Sequence, residues 1–193
     1  MPEKLRKDLR KLPKGLREHC GRVSLISHDL AERHGYCPEK AEAAALLHDI
    51  ARAMSDEELR ILAKKLGFRP DSLEEDWPIL IHGPVGAALL RQDYGMVDKE
   101  ILDAVDCHTT GKPGMGLLDQ IIFLADKLDP EKVALFPELI GVRHLAERDL
   151  AAATLLYIDR QLSRLNDRDQ PVHPRMVAAR IDMLARRACD RGY

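Results

Sequence analysis

Apolar positions along the chain recur every three or four residues. No five-residue stretch alternates cleanly with β-branched residues, so the pattern predicts helices and gives strands little support. Glycine and proline cut the pattern into segments. A long helix is expected from Pro13 to His34, stopped by Gly35, and a second from Glu39 to Ala53, opened by Pro38. Ser55 with Glu58 makes a capping box for a short helix that ends at Gly67. The stretch GFRPDSLEEDWPILIHG reads as a loop, after which Pro84 starts a helix reaching about Asp93. Asp98 caps a segment running to His108, and the glycine-rich TTGKPGMG separates it from Leu117 to Leu128. Amphipathic stretches from about Arg148 to Leu165 and from Pro174 to Arg191 complete the chain. With no repeat and no linker long enough to divide it, the expectation is an all-α, single-domain helical bundle over 1–193.

The informative residues are polar ones on apolar stripes. Leu16, His19, Val23 and Leu30 share one stripe, which turns His19 toward the core. His28, nine residues on and about 180° around the wheel, should face water. Ile101, Ala104, Val105 and His108 form an i, i+3, i+4, i+7 set, and Asp126 lies on the inner face with Leu118 and Ile122. His82 precedes a helix start, in line with Val85 and Leu89. Ala43 to Ala51 is apolar all round except for His48 and Asp49, and a helix without a polar face belongs in the middle of a bundle. An ionised carboxylate there costs several kcal/mol unless it is paired or bound to a cation, so something must compensate Asp49. One inward histidine is usually a satisfied structural residue. Six inward positions of one chemistry, His19, His48, Asp49, His82, His108 and Asp126, are better explained by one site. Neutral imidazoles with carboxylates suit iron, manganese, zinc, cobalt or nickel, and six ligands exceed the needs of one open ion, which suggests two ions sharing Asp49.

Charge and composition narrow the setting. Lys and Arg total 30 against 32 Asp and Glu, so no basic surplus argues for nucleic acid or an anionic membrane. No apolar run spans a bilayer and the N-terminal MPEKLRKDLRKLPKG lacks a signal-type stretch. Cys20, Cys37, Cys107 and Cys189 are scattered without a CxxC pair and read as reduced thiols of a cytoplasmic protein. His34 reads as a helix C-terminal residue meeting the dipole, and His144 and His173 as surface or turn residues. The arginines of the last stretch, Arg175, Arg180, Arg186, Arg187 and Arg191, read as a solvated face. Trp77 either anchors its loop or flanks a nucleobase, and the anchor is the preferred reading.

The order His19…His48-Asp49…His82…His108…Asp126, with HDIAR at 48–52, IHGPVGA at 81–87, HTTGKPGM at 108–115 and ADKLDP at 125–130, resembles the HD-superfamily metal phosphohydrolases. Within them it resembles the YqeK family of symmetrically cleaving bis(5′-nucleosyl)-tetraphosphatases. The resemblance covers about Leu16 to Leu150, a core on which the helices of 151–193 are expected to pack. It departs at Arg52, where the superfamily often has Lys, and at Lys127, Asp129 and Lys132, where the family reads more like ADYIEP followed by Arg.

The resemblance implies hydrolysis of diadenosine tetraphosphate to two ADP at two divalent transition-metal ions, iron first among them. One ion takes His19, His48, Asp49 and Asp126, and the other takes Asp49, His82 and His108. Asp49, His48 and Arg52 are the expected catalytic residues. Lys112, Arg143, Thr109 and Gly83 are the expected substrate contacts. The expected partner is a dinucleoside polyphosphate or another nucleotide, and the expected assembly a monomer or homodimer. Another nucleotide substrate, such as a deoxynucleotide or a guanosine alarmone, or a non-catalytic nucleotide-binding module, are the alternatives.

Overall fold

The computed structural model describes residues 2–190, and among these there are α-helices and one 3₁₀ turn but no strand. The helices are α1 (Glu3–Lys11), α2 (Lys14–Arg33), α3 (Pro38–Leu47), α4 (Asp56–Lys65), α5 (Ser72–Asp76) and, after the 3₁₀ turn Pro78–Ile81, α6 (His82–Tyr94). Then follow α7 (Lys99–Cys107), α8 (Leu117–Lys127), α9 (Pro130–Leu135), α10 (Leu139–Ala146), α11 (Leu150–Asp167) and α12 (Pro174–Asp190). Arg191 lies outside the described residues.

The centre is made by α2, α3, α7 and α8, which pack on one another, with α6 against α7 and α11 against α8. Helix α8 is the axis: from Ile121 through Leu128 every residue is buried. Its apolar side chains need neighbours all round, and α2, α3, α7 and α11 supply them. A smaller apolar cluster of Ala51, Leu59, Ala63, Ile81 and Val85 seats α4 under the 3₁₀ turn and α6.

The structure departs from the sequence pattern where helices are short or tighten. Helix α1 has no counterpart among the expected segments; it buries Leu5 completely and receives the Tyr94 hydroxyl on Asp8 at 2.9 Å. The expected loop 67–83 contains α5 and the 3₁₀ turn, and α9 and α10 fill the stretch before α11. Such one- to two-turn helices are held by caps and packing and leave almost no periodic signal. The second long helix ends at Leu47 and not at Ala53. From there the backbone tightens into i→i−3 bonds: Ile50 N to Leu47 O, Arg52 N to Asp49 O and Met54 N to Ala51 O.

Candidate metal centre

Three of the four inward histidines stand at helix ends: His48 follows α3, His108 follows α7, and His82 opens α6. Each donates its Nδ1–H to the carbonyl three residues before it. The acceptors are Ala45 for His48 at 2.6 Å, Ile79 for His82 at 2.5 Å and Val105 for His108 at 2.7 Å. His19, in the second turn of α2, donates its Nδ1–H to Asp129 Oδ2 at 2.5 Å. Asp129 is itself held by Arg22 at 2.8 and 2.9 Å. Fixing Nδ1–H fixes the tautomer, and every Nε2 is left as a bare lone pair aimed at the same small volume.

Asp49 divides that volume. Its Oδ2 lies 3.4 Å from His48 Nε2 and 3.8 Å from His19 Nε2. Its Oδ1 lies 3.1 Å from His82 Nε2 and 3.4 Å from His108 Nε2. Asp126 Oδ1 faces the first pair, 3.1 Å from His19 Nε2 and 3.8 Å from His48 Nε2. All six residues of the expected ligand set are therefore gathered, and all but His19 are buried.

The donors fit cations and fit little else. The Nε2 atoms of His82 and His108 stand 2.9 Å apart, and with both Nδ1–H groups committed to carbonyls two lone pairs face one another. Buried His48 Nε2 has no hydrogen-bond partner among the described residues. Positive ions between these atoms and the carboxylates relieve both conflicts. Burial, reinforced by His82 and His48, pulls the His108 pKa down to about 4 against the attraction of Asp49, so this ring is neutral at pH 7 and ready to ligate. Burial alone would raise Asp49. The positive charge of His48, when that ring carries a second proton, chiefly outweighs it and holds the carboxyl well below its ordinary value. Asp126 is likewise lowered in spite of burial, chiefly by Lys127, with His19 and Lys132 adding to it.

Lys127, Asp129 and Lys132, which the sequence marks only as departures from the family pattern, acquire a role at the site. Lys127 Nζ binds Asp126 Oδ2 at 2.9 Å and the His108 carbonyl, with its ammonium 4.5 Å from the Phe123 ring centroid. Lys132 Nζ sits 2.5 Å from Asp126 Oδ1 and is half-exposed, long enough to reach an incoming phosphate instead. Both line a cavity of about 760 Å³ whose far wall carries Arg160, Arg164 and Arg168, against the two carboxylates Glu138 and Asp167. Those arginines recur at i, i+4, i+8, a stripe visible in the sequence that only acquires meaning once α11 packs on α8.

Other expected residues fall elsewhere. Arg52 is exposed on the turn after α3, with no hydrogen bond or ion pair to the cluster. Lys112 is tied between Asp103 and Asp119, both at 3.3 Å, and Arg143 is exposed on α10. Gly83 is a packing residue: a Cβ there would meet Asp106 O at 2.8 Å and Val105 O at 2.9 Å, so its bareness lets α6 lie on α7. Thr109 does stand at the cluster, its hydroxyl 3.1 Å from His108 Nε2. His173 is no surface residue; it is buried and donates from Nε2 to Glu74 at 3.2 Å, because its Nδ1 accepts the Arg175 N–H. Trp77 does not anchor its loop, since 54% of it is exposed; the Glu74–His173 bond and buried Pro78 and Ile81 do so. His34 donates to the Ala146 carbonyl at 2.7 Å, beyond its own helix, and His28 meets Glu42 at 2.6 Å, away from the cluster.

An all-helical bundle whose helix ends converge imidazoles and carboxylates is the arrangement of HD domain proteins, and the chain belongs to that family, whose profile matches residues 16–131. Curated relatives lie close. It is 42% identical over 147 residues to the symmetrical bis(5′-nucleosyl)-tetraphosphatase of Bacillus subtilis, covering 76% of this chain and 77% of that protein. The enzyme of the same name from Halalkalibacterium halodurans is 36% identical over 170 residues, covering 86% of this chain and 88% of that one. Among solved structures, an HD superfamily hydrolase from Clostridium acetobutylicum, described as involved in NAD metabolism, superposes with a TM-score of 0.86 at 28% identity, over 92% of this chain and 93% of that one.

Proposed function

We propose that the protein hydrolyses diadenosine tetraphosphate symmetrically, water attacking a central phosphate and two ADP leaving. The observation that carries this reading is the division of Asp49, one oxygen toward His19 and His48 and the other toward His82 and His108. A carboxylate can bridge two cations in this way, whereas an imidazole offers one nitrogen. In this reading His19, His48, Asp126 and Asp49 would hold one divalent transition-metal ion, and His82, His108 and the same Asp49 a second. Iron is the first candidate for both, with manganese, cobalt, nickel and zinc as alternatives. Bound there, the ions supply an acidified water at neutral pH and positive charge against the phosphate oxygens.

The chain's own groups do the rest. Lys132, Arg160, Arg164 and Arg168 neutralise the polyphosphate, in addition to or in place of Lys112 and Arg143. The Thr109 hydroxyl donates to a phosphate oxygen at the edge of the cluster. Arg52, exposed on the turn after α3, would have to swing toward the substrate to take part. Among the described residues no helix is long and apolar enough to cross a membrane. The protein is read as a cytoplasmic monomer or homodimer, in a compartment that keeps its four free cysteines reduced.

The test is product identification with enzyme loaded anaerobically with iron, or with manganese, cobalt or nickel. Two ADP per diadenosine tetraphosphate is expected. AMP with ATP would refute symmetrical attack. Faster turnover of a deoxynucleotide or a guanosine alarmone would move the protein to another substrate, and no turnover with any metal would make it a binding module. Asp49→Ala should lose both metal and rate; parental activity in that variant would overturn the assignment.

A further inference from the structure

Beside the centre, on the side of His82 and His108, lies a second cavity of about 220 Å³. Leu73, Trp77, Leu80, Leu165 and Met176 give it apolar walls. Pockets for drug-sized ligands run to about 300–1,000 Å³, so this one has room for a single bicyclic ring system and not for a whole dinucleotide. We propose that it receives a nucleobase of the substrate, stacked on the Trp77 indole. This assignment rests on the nucleotide reading above and adds to it where one end of the substrate lies.

Position is the first argument. Thr109 lines the cavity, and its hydroxyl is 3.1 Å from His108 Nε2 and 3.4 Å from His82 Nε2, so one wall of the cavity borders the His82–His108 half of the cluster. Gln161 lines both this cavity and the cationic groove, which joins the apolar space to the ground that suits polyphosphate. A phosphate chain held at the centre thus has a base-sized apolar space within reach.

The indole is the second argument. Trp77 is the only tryptophan of the chain and stands 54% exposed, an aromatic left uncovered where aromatics are few. Its backbone is held in place: α5 is capped reciprocally by Asp71 and Glu74 and joined to the start of α12 by His173. A rigid, half-covered aromatic over an apolar cavity is a stacking platform. Gln161 and Gln170 add carboxamides on the rim, the side chains that match donor–acceptor edges of a purine.

A sole tryptophan makes the test direct. The metal-loaded enzyme is titrated with ADP and, separately, with inorganic pyrophosphate while indole emission is followed. ADP is expected to quench it with the midpoint at which ADP inhibits hydrolysis, and pyrophosphate to leave it unchanged. Trp77→Ala should raise KM for diadenosine tetraphosphate about tenfold or more, the scale of losing one base–aromatic stack, with a much smaller effect on kcat. Trp77→Phe should restore most of the loss. Inhibition by ADP without any change in emission, or an unchanged KM in Trp77→Ala, overturns the proposal. ADP-specific quenching in an enzyme that releases no ADP from diadenosine tetraphosphate would support the pocket while sinking the proposed reaction.

Discussion

Asp129→Ala removes a side chain that meets none of the converging Nε2 atoms yet holds His19 in place through Nδ1. Asp129 is 1% exposed and accepts from His19 Nδ1 at 2.5 Å, from Arg22 at 2.8 and 2.9 Å, and from Glu131 N at 3.1 Å as the cap of α9. Hydrogen bonds to charged groups contribute about 1.5–3 kcal/mol each and an N-cap about 1 kcal/mol. They do not add in full, because Arg22 is 28% exposed and recovers water when its partner goes. The expected loss of stability is about 3 kcal/mol, the lower end for breaking a buried pair. Metal affinity should fall separately, by about 10–100-fold, since His19 loses the acceptor that fixes its tautomer and ring angle. Denaturant unfolding of metal-free protein measures the first effect, and competition against a chelator measures the second. Asp129→Asn retains a carbonyl oxygen for the His19 N–H and should keep more of the metal affinity than Asp129→Ala. Metal affinity within twofold of the parent in Asp129→Ala, with stability reduced, would refute the positioning role.

Three further predictions follow from other contacts. Gly83→Ala drives a Cβ into two backbone carbonyls that cannot rotate away, so overpacking of about 1–3 kcal/mol should exceed the helix-propensity gain and lower Tm; a rise in KM with unchanged Tm would restore a substrate role for Gly83. Arg160→Ala and Arg164→Ala should each raise KM for diadenosine tetraphosphate by up to about tenfold, less at high ionic strength, and a KM that stays put in both would place the phosphates outside the groove. His28 has a raised pKa, chiefly through its hydrogen bond with Glu42, so its contribution to stability is present below about pH 6.5 and is lost as pH rises through the higher folded value. In His28→Ala the unfolding midpoint should therefore fall only at acid pH with the hydrolysis rate unchanged, and a large loss of rate would expose an error in the phase of α2.

How much was legible differs from residue to residue. The convergence of the six inward residues was written in the pattern, because a histidine or aspartate on an apolar stripe conflicts with burial wherever it occurs, and six such conflicts in one order have few solutions. His173 defeated the same logic. It sits between Val172 and Pro174 with no helical phase to assign, and its burial depends on Glu74, which is 99 residues away. Trp77, in its proline-flanked loop, reads as an anchor in the sequence, yet that loop is fastened by smaller groups.

The sequence by itself determined the helical class, most of the long segments and the identity of the inward histidines and aspartates, since these follow from local spacing and the cost of burying charge. Only the tertiary structure decided which oxygen of Asp49 faces which histidine pair, that Lys132 and the arginines of α11 share a groove beside Asp126, and that Lys112 and Gly83 serve packing and pairing within the bundle. Those outcomes depend on how far apart helix ends come to rest. That distance is set by the packing of α8 against its neighbours, and no periodicity within a single segment encodes it.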